Sequence, residues 1–206
     1  MTASQDERAA LVETMRAAGP DAPTLCTGWT TRDLAAHLVV RERRLDAAPG
    51  IMIPQLAGYT DRVQRRTAES TDWDELLDQI AAGPPVWSPF RALDSVANTD
   101  EMFIHHEDVR RAQSDWEPRL LETNLVAGLR RALSLMARLT MGQAPARVRL
   151  QTPDGTEVAA FGTGPELVVT GEVGELTLFV AGRDEARLTF SDAQVIQTVR
   201  AARRGL

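Results

Sequence analysis

Apolar residues recur at helical spacing through the first two thirds of the chain. Ala9, Leu11, Val12 and Met15 form a stripe over residues 4–18, and Gly19-Pro20 ends it. A loop follows from Asp21 to Thr30, containing Pro23, Cys26 and Gly28. Thr30 then predicts an N-cap with Asp33 at the third helical position, and the helix it opens carries Leu34, His37, Leu38 and Arg41 on one stripe. Trp29 stands just before that cap, where an aromatic staples a helix to its core. Pro49-Gly50 and Pro54 break the pattern, residues 55–67 and 72–82 resume it more weakly, and Gly83-Pro84-Pro85 closes the region. Trp87 and Phe90 fall in an irregular apolar piece suited to covering a cleft. The helical signal returns from Leu93 to Gln113. After Trp116 and Pro118, a long amphipathic helix from Leu120 to Met141 presents Leu121, Val126, Leu129, Leu133 and Met136. The pattern predicts about five helices, four of them long enough for an up-and-down bundle.

The period changes at Pro145. ARVRLQT alternates as a strand does, Pro153-Asp154-Gly155 is a turn, and TEVAAFG and ELVVTG are further strands. GEVGELTLFVAG has Val173, Leu176 and Val180 at helical spacing, ARLTF is a last strand, and Ser191 is placed to cap a closing helix running to Arg203. The expected organisation is therefore mainly α, with a helix bundle over residues 1–143 and a small α/β domain over 144–206. Repeats, low-complexity tracts and glycine-rich phosphate loops are absent; GTGPE is too short for the last and lacks its lysine.

Composition narrows the chemistry. A formal charge of -6 and 25% charged residues describe an ordinary acidic protein without the basic footprint of a nucleic-acid binder. All 23 basic residues are arginine, which removes Schiff-base and phosphate-loop lysine mechanisms. A single cysteine, Cys26, forms no internal disulfide and fits a reducing compartment. The acidic start MTASQDERAALVETMRAA is unlike a signal peptide, and no run approaches the roughly 18 apolar residues of a membrane span. The expected location is the cytoplasm.

Only three histidines occur, His37, His105 and His106. Glu101 and His105 sit four apart in TDEMFIHHEDVRRA and so share a helix face, while His37 lies among Leu34, Leu38 and Val39 on another helix. From spacing alone, Glu101 and His105 also suit an exposed helix pair worth a few tenths of a kcal/mol. The apolar neighbours Phe103 and Ile104 argue otherwise, because a carboxylate on a buried stripe needs a partner, and a metal is one. Two imidazoles and a carboxylate suit zinc, nickel, manganese or iron and leave a coordination position open. The trio His37, Glu101 and His105 is the expected metal site. Asp33, one turn before His37, and Asp108, nearly one turn after His105, are placed to orient the imidazoles. His106 points about 100° away from His105 and reads as a surface or supporting residue. Cys26 reads as a small loop residue rather than a nucleophile. Glu42, Glu107 and a metal-bound water are the only general bases the sequence offers, so no catalytic residue is assigned.

LCTGWTTRDLAAHLVVRE, followed by the E-x-x-x-H of EMFIHHEDVRRA, resembles the DinB-like metal-binding superfamily over roughly residues 5–140. Within it the chain is most similar to the mycothiol-dependent maleylpyruvate isomerases, in an actinobacterial branch. GELTLFVAGR is similar to the helix of that family's small sterol-carrier-like C-terminal domain, though shorter than usual. The resemblance implies zinc on His37, Glu101 and His105, with mycothiol as thiol co-substrate in isomerisation or transfer to an electrophile. Arg183 in the AGR turn is then a candidate for a substrate carboxylate, beside the plainer role of closing a helix C-terminus. A metal-dependent hydrolase, or a small-ligand carrier with a structural metal, remain the other readings. The implied partners are a small-molecule substrate and a low-molecular-weight thiol, with a homodimer as the one assembly considered.

Overall fold

Thr2 opens the first helix. In the computed structural model, which describes residues 2–51, 53–88, 91 and 98–202, its hydroxyl accepts from Gln5 N while the Gln5 side chain accepts from Thr2 N, and α1 (Ala3–Ala18) begins. Thr30 and Asp33 repeat this device at the start of α2 (Thr31–Arg43), as their spacing predicts. Two short 3-10 turns lead into α3 (Ala57–Ser70), and Asp72 caps α4 (Trp73–Ala81). Then come α5 (Thr99–Arg110), α6 (Thr123–Met141), β1 (Arg147–Gln151), β2 (Glu157–Phe161), β3 (Glu166–Thr170), α7 (Val173–Val180), β4 (Thr189–Phe190) and α8 (Ala193–Ala202). The chain is mainly helical with a small four-stranded sheet near its C-terminal end, matching the expected class. Phe90, residues 93–97 of the expected fifth helix, and Arg203 lie outside the described residues. No described helix is long and apolar enough to cross a membrane.

The chain divides into two compact units, Met1–Glu117 and Pro118–Leu206. In the first, α1 lies against α5 and α4, and α2 against α3 and α4. Leu11, Val12 and Met15 meet Leu34, Ala35, Leu38, Leu76, Leu77, Ile80, Met102 and Val109 in one core. A buried leucine contributes about 1.5–3 kcal/mol against roughly 1 for a cap, so packing rather than capping fixes where the helices lie.

The second unit starts earlier than the sequence boundary near residue 143. The 123–141 helix, expected in the bundle, buries Leu125, Leu129, Leu133 and Met136 and lies against α7 and β2. An apolar stripe does not specify its partner, so periodicity assigns the helix without saying which elements it packs on. The sheet runs β2-β1-β3-β4, with β1 antiparallel to β2 and parallel to β3, and β4 antiparallel to β3. Val148 pairs with Phe161 and Leu167, and Leu150 with Ala159 and Val169, so one face is apolar and buried. On β1, Arg149 instead holds Glu157 at 2.8 Å and Glu166 at 3.0 Å. Gly162 takes φ +71, and a Cβ there would lie 2.2 Å from the Ala146 carbonyl oxygen, so this turn requires glycine. Ser191 does not cap the closing helix: Asp192 accepts from Gln194 N and Val195 N, while Ser191 Oγ accepts from Val168 N and ties the segment to β3.

Candidate metal centre

From Met102 to Val109, every residue of α5 is buried, four of them ionisable. A buried polar group without a partner costs about 1–3 kcal/mol, so this helix forms only if each finds one. His106 does so on α1, with Nδ1 2.8 Å from Glu7 Oε1 and Nε2 2.8 Å from Thr14 Oγ1. The surface reading of His106 is therefore corrected: it is an interior tie between two helices. Glu107 accepts from Arg110 at 2.9 Å and Arg111 at 2.6 Å, and the Arg111 guanidinium lies 4.5 Å over the Trp116 ring. Asp108 Oδ2 lies 2.9 Å from His105 Nδ1 and accepts from Cys26 Sγ at 3.2 Å.

The remaining face of α5 meets α2. His105 Nε2 lies 3.4 Å and His37 Nε2 3.7 Å from the same oxygen, Glu101 Oε1. The two imidazole rings are 5.4 Å apart and nearly perpendicular, and Trp29 tilts against His37 at 5.2 Å. Arg41, one turn beyond His37, brings Nε within 3.2 Å of Glu101 Oε1 and donates from Nη1 to Asn98 Oδ1 at 2.7 Å. The three residues named from the sequence, His37, Glu101 and His105, are thus together, their ligand atoms all within 4.8 Å of one another.

These separations test whether a metal fits. They exceed the about 2.7–3.2 Å of a good hydrogen bond, so the three groups do not satisfy one another. They match the edge of a tetrahedron with bonds of about 2.1 Å, which is about 3.4 Å. His37 Nδ1 is buried without a hydrogen-bond partner, and burial holds the imidazole below its usual pKa and neutral. Burial opposes charge on His105 too, but Asp108, Cys26 and Glu101 outweigh it and raise its pKa well above 6.5. Burial would raise the Glu101 carboxyl, yet Arg41, His105 and His37 hold it well below its ordinary value. The donor set suits a borderline divalent cation, with Asp108 fixing the tautomer that leaves His105 Nε2 as the ligand atom.

Other expected groups fall elsewhere. Glu42 accepts from Arg8 at 2.6 and 3.0 Å, and Glu107 is held by two arginines, so neither general base suggested by the sequence is free to move a proton. Arg183 belongs to the second unit, where it is buried with Nη1 donating to the Ala181 carbonyl at 2.6 Å. Cys26 reaches α5 because Leu25 N donates to the Asp108 carbonyl at 3.0 Å, a link between residues 83 apart that spacing could not show. Two neighbours escaped sequence reading. Periodicity places Arg41 on the His37 stripe, four residues on, but gives it no role at the site. Asp100 has Oδ1 buried without a hydrogen bond, and burial together with the charge of Glu101 pushes its carboxyl up to about 6.

The family model for the mycothiol maleylpyruvate isomerase N-terminal domain matches residues 1–178. The crystal structure of the mycothiol-dependent maleylpyruvate isomerase is similar at 16% identity and a TM-score of 0.53, over 91% of this chain and 88% of that one. A histidine-to-alanine mutant of that enzyme is similar at 14% identity and a TM-score of 0.51, with the same coverage. At such identities the likeness concerns the fold. No curated protein matches the chain.

Proposed function

The chain belongs to the mycothiol maleylpyruvate isomerase N-terminal domain family, and from that premise we propose that it is a metal-dependent enzyme acting through a low-molecular-weight thiol. His37, Glu101 and His105 would hold the ion, zinc before nickel, manganese or iron, and mycothiol is the co-substrate. The convergence of His37 Nε2 and His105 Nε2 on one Glu101 oxygen, at 3.7 and 3.4 Å, carries this reading. When bound, such a metal supplies a Lewis acid that lowers the pKa of a coordinating thiol.

The protein's own part is positional. Asp108 takes the hydrogen bond of His105 Nδ1 and aims its Nε2 inward, while Arg41 orients Glu101 and keeps it ionised. Packing by Trp29 holds the His37 ring. The activated thiol then adds to an electrophile, and isomerisation returns the thiol whereas transfer retains it. In finer detail, we assign the helical unit to the DinB-like bundle and the sheet-bearing unit to the sterol-carrier-like fold, with the cytoplasm as working compartment. The same donor set serves a hydrolase, so the test must see sulfur. Cobalt-substituted protein titrated with mycothiol is expected to gain sulfur-to-metal charge-transfer absorption. An unchanged cobalt spectrum at saturating thiol would refute thiol binding at this centre.

A further inference from the structure

One turn reaches both proposed histidine ligands, although they stand on different helices. Cys26, Thr27, Gly28 and Trp29 close a tight turn in which the Trp29 amide donates to the Cys26 carbonyl at 2.9 Å. Gly28, its third residue, takes φ +78, the left-handed conformation that such a turn demands of that position. The turn is pinned on both sides. Thr24 Oγ1 donates to the Trp29 carbonyl at 2.9 Å, and Leu25 N donates to the Asp108 carbonyl of α5 at 3.0 Å. Trp29 then packs on the His37 ring at 5.2 Å, at one end of the turn. At the other end the Cys26 thiol donates to Asp108 Oδ2 at 3.2 Å, the same oxygen that lies 2.9 Å from His105 Nδ1.

The ligand atoms of Cys26, His105 and Asp108 also lie within 4.8 Å of one another. Their separations of 2.9 and 3.2 Å are those of hydrogen bonds, so these groups satisfy each other and form a relay rather than a second ion site. Asp108 is fully buried, and a buried carboxylate is stable only with donors around it. A thiol is a weak donor. Beside an imidazole N–H it fixes where Oδ2 points while drawing little of the carboxylate's charge away from His105. A hydroxyl there would donate more strongly from a shorter side chain, and a methyl would not donate at all.

Resting on the metal reading above, we propose that Cys26 is a positioning residue of the metal centre, its thiol holding Asp108 on His105 Nδ1 and so aiming His105 Nε2 at the ion. Cobalt affinity of the full chain, measured by competition with a chelator, is compared for the native protein, Cys26→Ala, Cys26→Ser, Asp108→Ala and the Cys26→Ala/Asp108→Ala double variant. Removing a group that orients a ligand costs about 10–100-fold, and Cys26 stands one weak bond further out, so Cys26→Ala is expected to lose about three- to tenfold. Cys26→Ser keeps a donor and is expected to recover to within about twofold of native. In the Asp108→Ala background Cys26→Ala is expected to add nothing, because its route to the ion is gone. An equal loss in both backgrounds, or native affinity in Cys26→Ala, overturns the proposal while leaving the metal centre intact. A native chain that takes up no cobalt overturns the metal reading and this inference together. A second readout needs no metal. In the metal-free chain the His105 Nδ1 proton, bonded to Asp108, is expected to exchange with water faster in Cys26→Ala than in the native protein or Cys26→Ser. Equal exchange in all three overturns the proposal, and this comparison stands even if Asp108→Ala does not fold.

Discussion

Successive residues of an α-helix are turned by about 100°, so His105 faces Glu101 and Asp108 while His106 faces Glu7 and Thr14. Their substitutions are expected to separate cleanly. His106→Ala leaves metal content unchanged and lowers stability by about 1–3 kcal/mol, because a buried hydrogen-bonded tie is lost; denaturant unfolding beside elemental analysis measures both. Asp108→Ala keeps all three ligands but is expected to weaken metal affinity by about 10–100-fold, since it orients His105. The charge states add a pH dependence. In the metal-free chain His105 is raised and carries its proton at neutral pH, His37 is lowered and neutral, and Glu101 is lowered and ionised. Metal uptake near pH 7 is therefore expected to release about one proton, from His105. Affinity then rises with pH and levels off above the raised His105 pKa. Calorimetry in buffers of different ionisation enthalpy measures this, and an enthalpy independent of buffer would contradict it. The linkage to folding has the opposite sign: what the charged His105 adds to metal-free stability is present below about pH 6.5 and is lost as pH rises through its folded pKa.

At the scale of elements, α1 and α2 are joined by Arg8, which meets Glu42 at 2.6 Å and also donates to the Ile80 carbonyl of α4 at 3.0 Å. Removing one member of a buried pair strands the other, so Glu42→Ala is expected to cost about 3–5 kcal/mol, read by chemical denaturation. A cost below about 1 kcal/mol would mean the pair is hydrated. The tie also shows where sequence reading stops. Thr30 and Asp33 announced α2 because a cap is local, and Glu101 and His105 announced a shared face because four residues make a turn. His37 joined them through rarity and apolar neighbours. Nothing local told that Arg8 would claim Glu42, that the Leu25–Cys26 loop would close on Asp108, or that Arg41 would turn inward to Glu101. Each is a tertiary contact whose partners lie 34 to 83 residues apart. The stripe of α6 shows another limit: its period announces a helix, but an apolar face packs as well on α7 and β2 as on a bundle.

For the whole molecule, the division at 117/118 puts every proposed ligand in the first unit. The second unit supplies Arg183 and an apolar sheet face but no member of the metal cluster among the described residues. Metal affinity is accordingly expected to survive Arg183→Ala within about threefold, whatever that change does to turnover. A large loss would make the second unit part of the centre. The claim on which all else rests is that His37, Glu101 and His105 hold a divalent ion. Metal content of the purified chain, measured beside His37→Ala, Glu101→Ala and His105→Ala with their helical content checked by circular dichroism, tests it directly. About one ion per chain in the native protein and almost none in the three folded variants is the expected result; folded variants that keep the native metal content would contradict it.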